Sequence, residues 1–476
     1  MRTLPLLSSA LLLACASPEP ASGDSAASRP STVDWSPMAV RTVDLPAVRG
    51  QVTRRGIVHL HSAWSHDACD GSPLVDGAPN QPCLDDLRAG LCAAGIDVAW
   101  LTDHPTHAAD QPFDDRLHVE AGRDTWVERG GAHIGARWVC DADGAAQGDA
   151  TAEGSALLRP GYEDDLMPVG MQGPLAADLT TESELARAAT EASMRAMQAA
   201  GADVMMAHTE GKTLDILEPL VDMGLAGVEI FSLHAAFDPN IRGDDLGLDP
   251  LGWTDGLTTF TAADAVAEPD LMVTGVLVEQ TPSIARWDAL QARARVVGTA
   301  GTDAHQNVLP MLLADGERGD SYRRSLRWMS QHLRLLEGDD PSDPIALQAA
   351  LVEGRSAVVL EILGTPVGWD LTVEAADGGV AGTGERSPGG TLVVACPALA
   401  PQSPQGETPP EITATIFKDG AEWATGCGDH PTDGPGAYRV RFDVIPHHLR
   451  PFYGDDPDAW IERRPWVWTQ HVHVTG

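Results

Sequence analysis

Between residues 54 and 355 short apolar runs alternate with stretches of helical period. "GIVHLHS" reads as a strand, "CLDDLRAGLCAAGI" as a helix, and "DVAWLTDH" as a strand again. The pattern continues with "LHVEAGRD", one long helix in "TESELARAATEASMRAMQAAG", then "ADVMMAHTEG", a helix in "TLDILEPLVDMG", and "AGVEIFS". A helix around 282–295 leads into "RVVGTAGTDAHQ". Strands alternating with helices predict parallel strands in an α/β layer or barrel. Residues 141–178 and 236–262 break the rhythm with Gly, Asp and Pro and read as long functional loops. After 356 the helical period stops. "SAVVLEIL", "WDLTVEAA", "GTLVVACPAL", "EITATIFKDG", "AYRVRFDVI" and "PWVWTQHVHV" are β-type runs, which predicts a small antiparallel β-sandwich over 356–476.

The first fifty residues are different. The chain opens "MRTLPLLSSALLLACAS", an apolar stretch too short to span a bilayer as a mature helix. Its Leu12-Leu13-Ala14-Cys15 resembles a bacterial lipoprotein signal, with 1–14 removed and the Cys15 thiol lipidated. That resemblance implies an exported protein anchored to a membrane on its periplasmic or cell-surface side; an ordinary secretory signal is the alternative. Residues 15–53, rich in Ala, Ser and Pro, read as a flexible tether.

Composition narrows the partners. A chain of 476 residues suggests two domains, and 43% hydrophobic residues with 48 Gly and 35 Pro describe a globular, loop-rich protein. The formal net charge is −37, and lysine occurs only at 212 and 418. Such a chain repels phosphate backbones, which disfavours nucleic acid as a partner. Apart from Cys15, six cysteines remain: Cys69, Cys83, Cys92, Cys140, Cys396 and Cys427. An even number in an exported chain fits disulfides, and proximity favours Cys69–Cys83 and Cys396–Cys427.

The chemistry lies at the strand ends. Strand after strand finishes in histidine or a carboxylate: His59 and His61, Asp103-His104, Asp124, His208, Glu229, and Asp303 with His305. In parallel α/β folds the carboxyl ends of the strands share one face, so these groups converge. His59 and His61 are two apart on a strand and point to the same side, as two ligands of one ion require. Imidazoles and carboxylates without thiolate suit Zn, Mn or Fe.

"HLHSAWSHD", "LTDH", "MMAHTEG" and "GTDAH", in this order, resemble the four motifs of the PHP superfamily, named for polymerase and histidinol phosphatase. The likeness covers roughly residues 54–355. "VEGRSAVVLEILGTPVGWDLTVE" and the closing "RPWVWTQHVHV" resemble the β-rich tail of its carbaryl hydrolase-like branch. The resemblance implies a distorted (β/α)7 barrel holding two or three divalent ions. Carried over by position, His59, His61, Asp124 and Asp303 would hold one ion. Asp124, His133 and His208 would hold a second, with the Asp124 carboxylate bridging. His66, His104 and His305 would hold a third. The family usually has Ser-Asp-Gly where this chain has Ser65-His66-Asp67, so either His66 or Asp67 is the ligand. The bridging residue is usually glutamate in a Gly-x-Glu context, whereas "EAGRDTW" offers Asp124 with Glu120 and Glu128 nearby. Asp103 would orient the site, Glu229 would orient it or bind metal, and Lys212 or Arg123 would hold an anionic substrate.

Ions of this kind activate water as the nucleophile, so no serine or cysteine nucleophile is needed and no GxSxG motif occurs. The expected activity is hydrolysis of a small phosphate ester. The alternative on the same site is amide or carbamate hydrolysis. The alternative of another class is a surface lipoprotein that binds a partner through its β-domain, with an inactive barrel.

Overall fold

The computed structural model describes residues 36, 38, 40–140, 154–254, 256–262, 264–404 and 406–476. The signal segment, Cys15 and the first part of the tether lie outside the described residues. Where the tether enters them it is packed: Met38, Val40 and Thr42 are buried, and the Thr42 hydroxyl donates to Asp97 at 2.7 Å.

Strand β1 (Val52–Leu60) is buried along both faces and sits at the centre of the largest sheet. It pairs in parallel with β2 (Val98–Leu101), and β2 pairs in parallel with β3 (Ser155–Pro160). A hairpin of Thr125–Arg129 and Ala132–Val139 extends this edge antiparallel. A second sheet holds β4 (Met167–Val169), β5 (Asp203–Met206), β6 (Gly227–Ser232) and β7 (Val297–Gly301), with β5, β6 and β7 mutually parallel and β4 antiparallel to β5. Single bridges join Leu60 to Ala304 and Gly161 to Val169. The expected α/β class holds, in two sheets; no closed barrel is found among the described residues.

Two sequence expectations are corrected. The long helix is two helices, Leu179–Ala186 and Glu191–Ala199. Thr190 ends the run because its hydroxyl accepts from the Ser193 N–H (3.1 Å), a capping bond that competes with continued helix. The second concerns 141–178, read as loop: residues 155–160 are the buried strand β3. Its "SALLRP" is buried on both faces, and the one charge on it, Arg159, donates to the Pro344 and Gly170 carbonyls.

Helix α1 (Gln81–Ala94) shows how closely the body is packed. Asn80 caps its start, and Gly95 ends it in the left-handed conformation with N–H bonds back to Leu91 and Cys92. Leu84, Leu87, Leu91 and Ala94 face the core with Ile57, Leu101 and Trp138. A Cβ on Gly90 would stand 2.8 Å from the Arg323 backbone nitrogen, so only glycine admits α2 (Tyr322–Trp328) at this distance.

Beyond the α/β body the large sheet continues without a break. Strand β8 (Ser330–Leu335) pairs antiparallel with β1, β9 (Ser356–Val359) with β8, and β10 (Arg464–Thr469) with β9. Antiparallel strands Glu411–Lys418 and Gly436–Ile445 follow on that edge, and a separate four-stranded sheet carries Asp370–Glu374 and Thr391–Ala395. Residues Ser36–Gly476 form one compact unit. Two buried ion-pair clusters fasten the β region. Arg55 Nε donates to Glu361 (2.9 Å), which His332 also meets at 2.7 Å. Arg439 grips Asp288 through two bonds of 2.7 Å, and His471 reaches the same carboxylate at 2.9 Å. Disulfides join Cys69–Cys83, Cys92–Cys140 and Cys396–Cys427. No helix among the described residues is long and apolar enough to cross a membrane.

Candidate metal centre

The site forms where the parallel strands end. β1 delivers His59 and, one step past it, His61. β2 runs into Asp103 and His104, and Pro105 then opens a helical turn. β3 leads through Gly161 to Glu163. β5 is followed by His208, held in the left-handed region at φ 50°. β6 contains Glu229 and is followed at once by His234. β7 is followed by Asp303, left-handed at φ 48°, and by His305. Left-handed backbone at two non-glycine residues in one site is strain that the surrounding packing must enforce.

Four imidazoles share one arrangement: Nδ1 is tied to an acceptor, which leaves Nε2 facing inward for a proton or a cation. His59 Nδ1 donates to Glu229 Oε1 at 2.6 Å. His61 Nδ1 donates to Ser65 Oγ (2.7 Å), since that hydroxyl spends its own proton on Asp103 (3.2 Å). His305 Nδ1 donates to the Asp303 carbonyl at 2.8 Å, and His104 Nδ1 to the Glu163 carbonyl at 3.1 Å. The braces are themselves fixed. Glu229 accepts the His208 N–H at 2.9 Å, and Asp103 accepts from the Ser62 N–H and hydroxyl at 2.6 and 2.7 Å. Gly301 makes room, because a Cβ there would stand 2.2 Å from Glu229 Oε1 and 3.0 Å from His59 Nδ1.

The inward atoms crowd one another. His59 Nε2 and His61 Nε2 face each other at 2.9 Å, with Asp303 Oδ1 3.3 and 3.1 Å away. As bare acceptors these three atoms would repel, so a proton on His59 or a cation among them holds them at this spacing. His305 Nε2 and Asp67 Oδ1 are buried with no hydrogen-bond partner among the described residues. Among the described residues every ion-pair partner of Asp303 and of Glu163 is an imidazole. The donor set therefore fits divalent ions, held by second-layer bonds of the kind that orient metal-binding histidine. Four overlapping groups can each hold one: His59–His208–Asp303, His59–His61–Glu163, His61–His104–His305, and His66–Asp67–His104.

The titration of these groups records the same demand for positive charge. Burial opposes a charge on His59, yet Glu229 and Asp303 outweigh it and hold the imidazole well above its usual range. Burial likewise opposes His104, which Glu163 and Asp67 lift to about 9, and His208, which Glu210 and Asp303 lift to about 9. His61 is pushed well down by burial and by His305. Burial raises Asp103 to about 6 against its serine hydrogen bonds. Burial also penalises charge on Asp303, but His59 and His305 keep it well below the usual carboxylate range.

The structure thus brings together His59, His61, His66, Asp67, His104, His208, Asp303 and His305, with Asp103 and Glu229 as braces. Of the pair left open, Asp67 reaches further in: its Oδ1 lies 3.4 Å from His305 Nε2 and 3.8 Å from His104 Nε2, while His66 is half exposed. Lys212 stands at the edge, 3.7 Å from Asp165. Arg123 pairs with Glu120 at 3.0 Å.

Asp124 and His133 are not brought to the cluster, and their expected roles are corrected. Asp124 precedes a hairpin strand rather than ending a parallel one, and Arg88 takes both its oxygens at 2.6 and 2.8 Å. His133 lies in the same hairpin, stacked on Trp126 at 4.2 Å and paired with Asp114 at 2.9 Å. Glu163 and His234 stand where those residues were expected. Glu163 meets His104 Nδ1 at 2.8 Å, and His234 Nδ1 meets Asp303 Oδ2 at 3.1 Å. Both carried a signal. Gly161-Tyr162-Glu163 is a Gly-x-Glu directly after a strand, and His234 sits two residues past "VEIF". Reading 141–178 as loop concealed the first.

No protein-family model matches this sequence, and no curated protein matches it. Solved structures that match the chain loosely include the following. One is a two-domain protein from Bacteroides vulgatus containing a predicted PHP-like metal-dependent phosphoesterase, 12% identical, with 90% of this chain and 97% of that chain covered and a TM-score of 0.33. PsfC from Pseudomonas syringae is 13% identical over 63% of this chain and 88% of its own, with a TM-score of 0.31. The lesion-specific endonuclease PfuEndoQ from Pyrococcus furiosus is 10% identical over 68% and 62%, with a TM-score of 0.33. Likeness this loose carries no argument about the activity of this chain.

Proposed function

We propose that this chain is a metal-dependent hydrolase of the PHP superfamily, acting on a small phosphate ester at a centre of two or three divalent ions. The observation that carries the reading is the convergence of His59, His61, His104 and His305 with Asp303, Glu163 and Asp67, where among the described residues no arginine or lysine pairs with those carboxylates. Divalent ions bound there supply Lewis acidity and lower the pKa of bound water. The chain's own residues do the rest. Glu229 keeps His59 in the Nδ1–H form, and Ser65 with Asp103 does so for His61. Half-exposed His234 and Lys212 at the rim can orient an anionic group. The two sheets read as arcs of one distorted (β/α)7 barrel, supported by the Leu60–Ala304 and Gly161–Val169 bridges. The strong acidity favours a small substrate over a nucleic acid.

The test is metal content by elemental analysis together with hydrolysis of a generic phosphomonoester, phosphodiester and carbamate, repeated with His59→Ala and Asp303→Ala. Phosphoester turnover that both substitutions abolish along with bound metal is the expected result. Carbamate turnover alone would move the substrate class to amides. Metal without turnover of any substrate would favour a binding protein.

Location is part of the proposal. The three disulfides fit an oxidising compartment, and the lipoprotein-like stretch before Cys15 supports membrane anchoring. Metabolic labelling with a fatty-acid analogue that persists in Cys15→Ser would remove the anchor from this reading.

A further inference from the structure

A cavity of about 710 Å³ opens at the other end of β7 from the metal centre. Arg295 lies just before that strand, whereas Asp303 and His305 follow it. Extended chain rises about 3.3 Å per residue, which separates the two ends by roughly 25 Å. The cavity is lined by Arg295, Gly384, Glu385, Arg386 and His473. Arg386 and His473 are opposite residues of two parallel strands, so their side chains leave the sheet together. Arg295 is positioned by a bond from Nη1 to the Gly384 carbonyl (3.2 Å).

The charge here runs against the rest of the molecule. In a chain of net charge −37, acidic partners are plentiful, and most surface arginines have one. Among the described residues no ion pair joins Arg295 or Arg386 to a carboxylate. Glu385, the acid of the cavity, is engaged by the Gly382 N–H at 2.6 Å. His473 Nε2 is buried with no hydrogen-bond partner. Burial first, then His471 and the two arginines, push that imidazole down to about 4, against Asp419, so the ring is neutral at working pH. Two guanidiniums without carboxylate partners around one cavity are a donor set that binds oxyanions, with forked N–H groups matching paired oxygens.

We propose that this cavity is a binding site for an oxyanion group, phosphate or carboxylate, of a small ligand, separate from the metal centre and independent of the chemistry there. The test uses the full chain after dialysis against a chelator, so that the metal centre takes up no anion. Calorimetric titration with inorganic phosphate, and separately with acetate, should give one site for at least one of them. Arg386→Gln should weaken it about tenfold or more, Arg295→Gln with Arg386→Gln should abolish it, and Glu385→Gln should tighten it. A response to phosphate alone assigns phosphate-bearing ligands, and a response to acetate alone assigns carboxylates. Both arginines are exposed, so these variants should melt as the parent does, and the metal-loaded Arg386→Gln should keep its hydrolytic rate. Binding unchanged in the double variant, or no binding of either anion, overturns the proposal.

Discussion

Two buried clusters of histidine and carboxylate, one beside Arg55 within β1 and one at its carboxyl end, behave differently. At the junction with the β region, Glu361 is enclosed by Arg55, His332, Ser330 and Thr365. Burial penalises its charge, but Arg55 and His332 drive it well below the usual carboxylate range. The chain carries its own counter-charge there, and the hydrogen bonds are complete. At the strand ends, among the described residues, Asp303 and Glu163 meet imidazoles alone, and His305 Nε2 and Asp67 Oδ1 have no hydrogen-bond partner. Burial of titratable groups is common to both places. What separates a fastening from a metal centre is the source of the positive charge.

Removing the internal cation at the fastening should have the largest effect on folding. Arg55→Leu leaves Glu361 buried and unpaired, which costs about 3–5 kcal/mol. Chemical denaturation should show that loss, while molecules still folded should take up metal as before. At the strand ends the effect should fall on metal instead. Glu163→Gln keeps the volume and removes the charge; metal affinity or turnover should drop by more than about 100-fold, since even second-layer changes cost about 10–100-fold. Elemental analysis with a turnover assay checks it, and full metal content in this variant would remove Glu163 from the centre.

Protons should compete with metal only at the strand ends. His104 and His208, raised to about 9, hold protons at neutral pH in the metal-free protein. Their contribution to metal-free stability is complete below the unfolded value near 6.5 and is lost as pH rises through about 9. Metal uptake must displace these protons, so apparent affinity should rise from neutral pH and level off above about 9. Calorimetry in buffers of different ionisation enthalpy reads the released protons; pH-independent uptake without release would contradict this account. The smallest effect belongs to His133→Ala. Stability should move within about 0.5 kcal/mol and metal content not at all, because the ring lies in a surface hairpin.

Much of the centre was legible because its signal is local. His59 ends a strand that His61 immediately follows, Asp303 and His305 share a turn, and the residue order implies convergence in a parallel sheet. The misassignments share one cause. "LHVEAGRD" ends in a carboxylate like the true strands, but it is a turn leading into a hairpin, so Asp124 points at Arg88. Conversely, β3 follows a Gly- and Asp-rich stretch, and its strand character was lost in that context. A helix read through Thr190 failed in the same way, since a capping hydroxyl outweighs a continuous apolar period.

By itself the sequence determined the alternation of elements, the surplus of histidine at strand ends, the all-β tail and two of the three disulfide pairings. Those follow from periodicity and from neighbours in the chain. The tertiary structure decided which carboxylate joins which imidazole, because Glu163, Glu229 and Asp303 approach His104 and His59 from strands far apart in sequence. It also decided that the β region shares a sheet with β1 instead of standing apart, since pairing between β8, β9 and β10 is set by register and packing that no local pattern encodes.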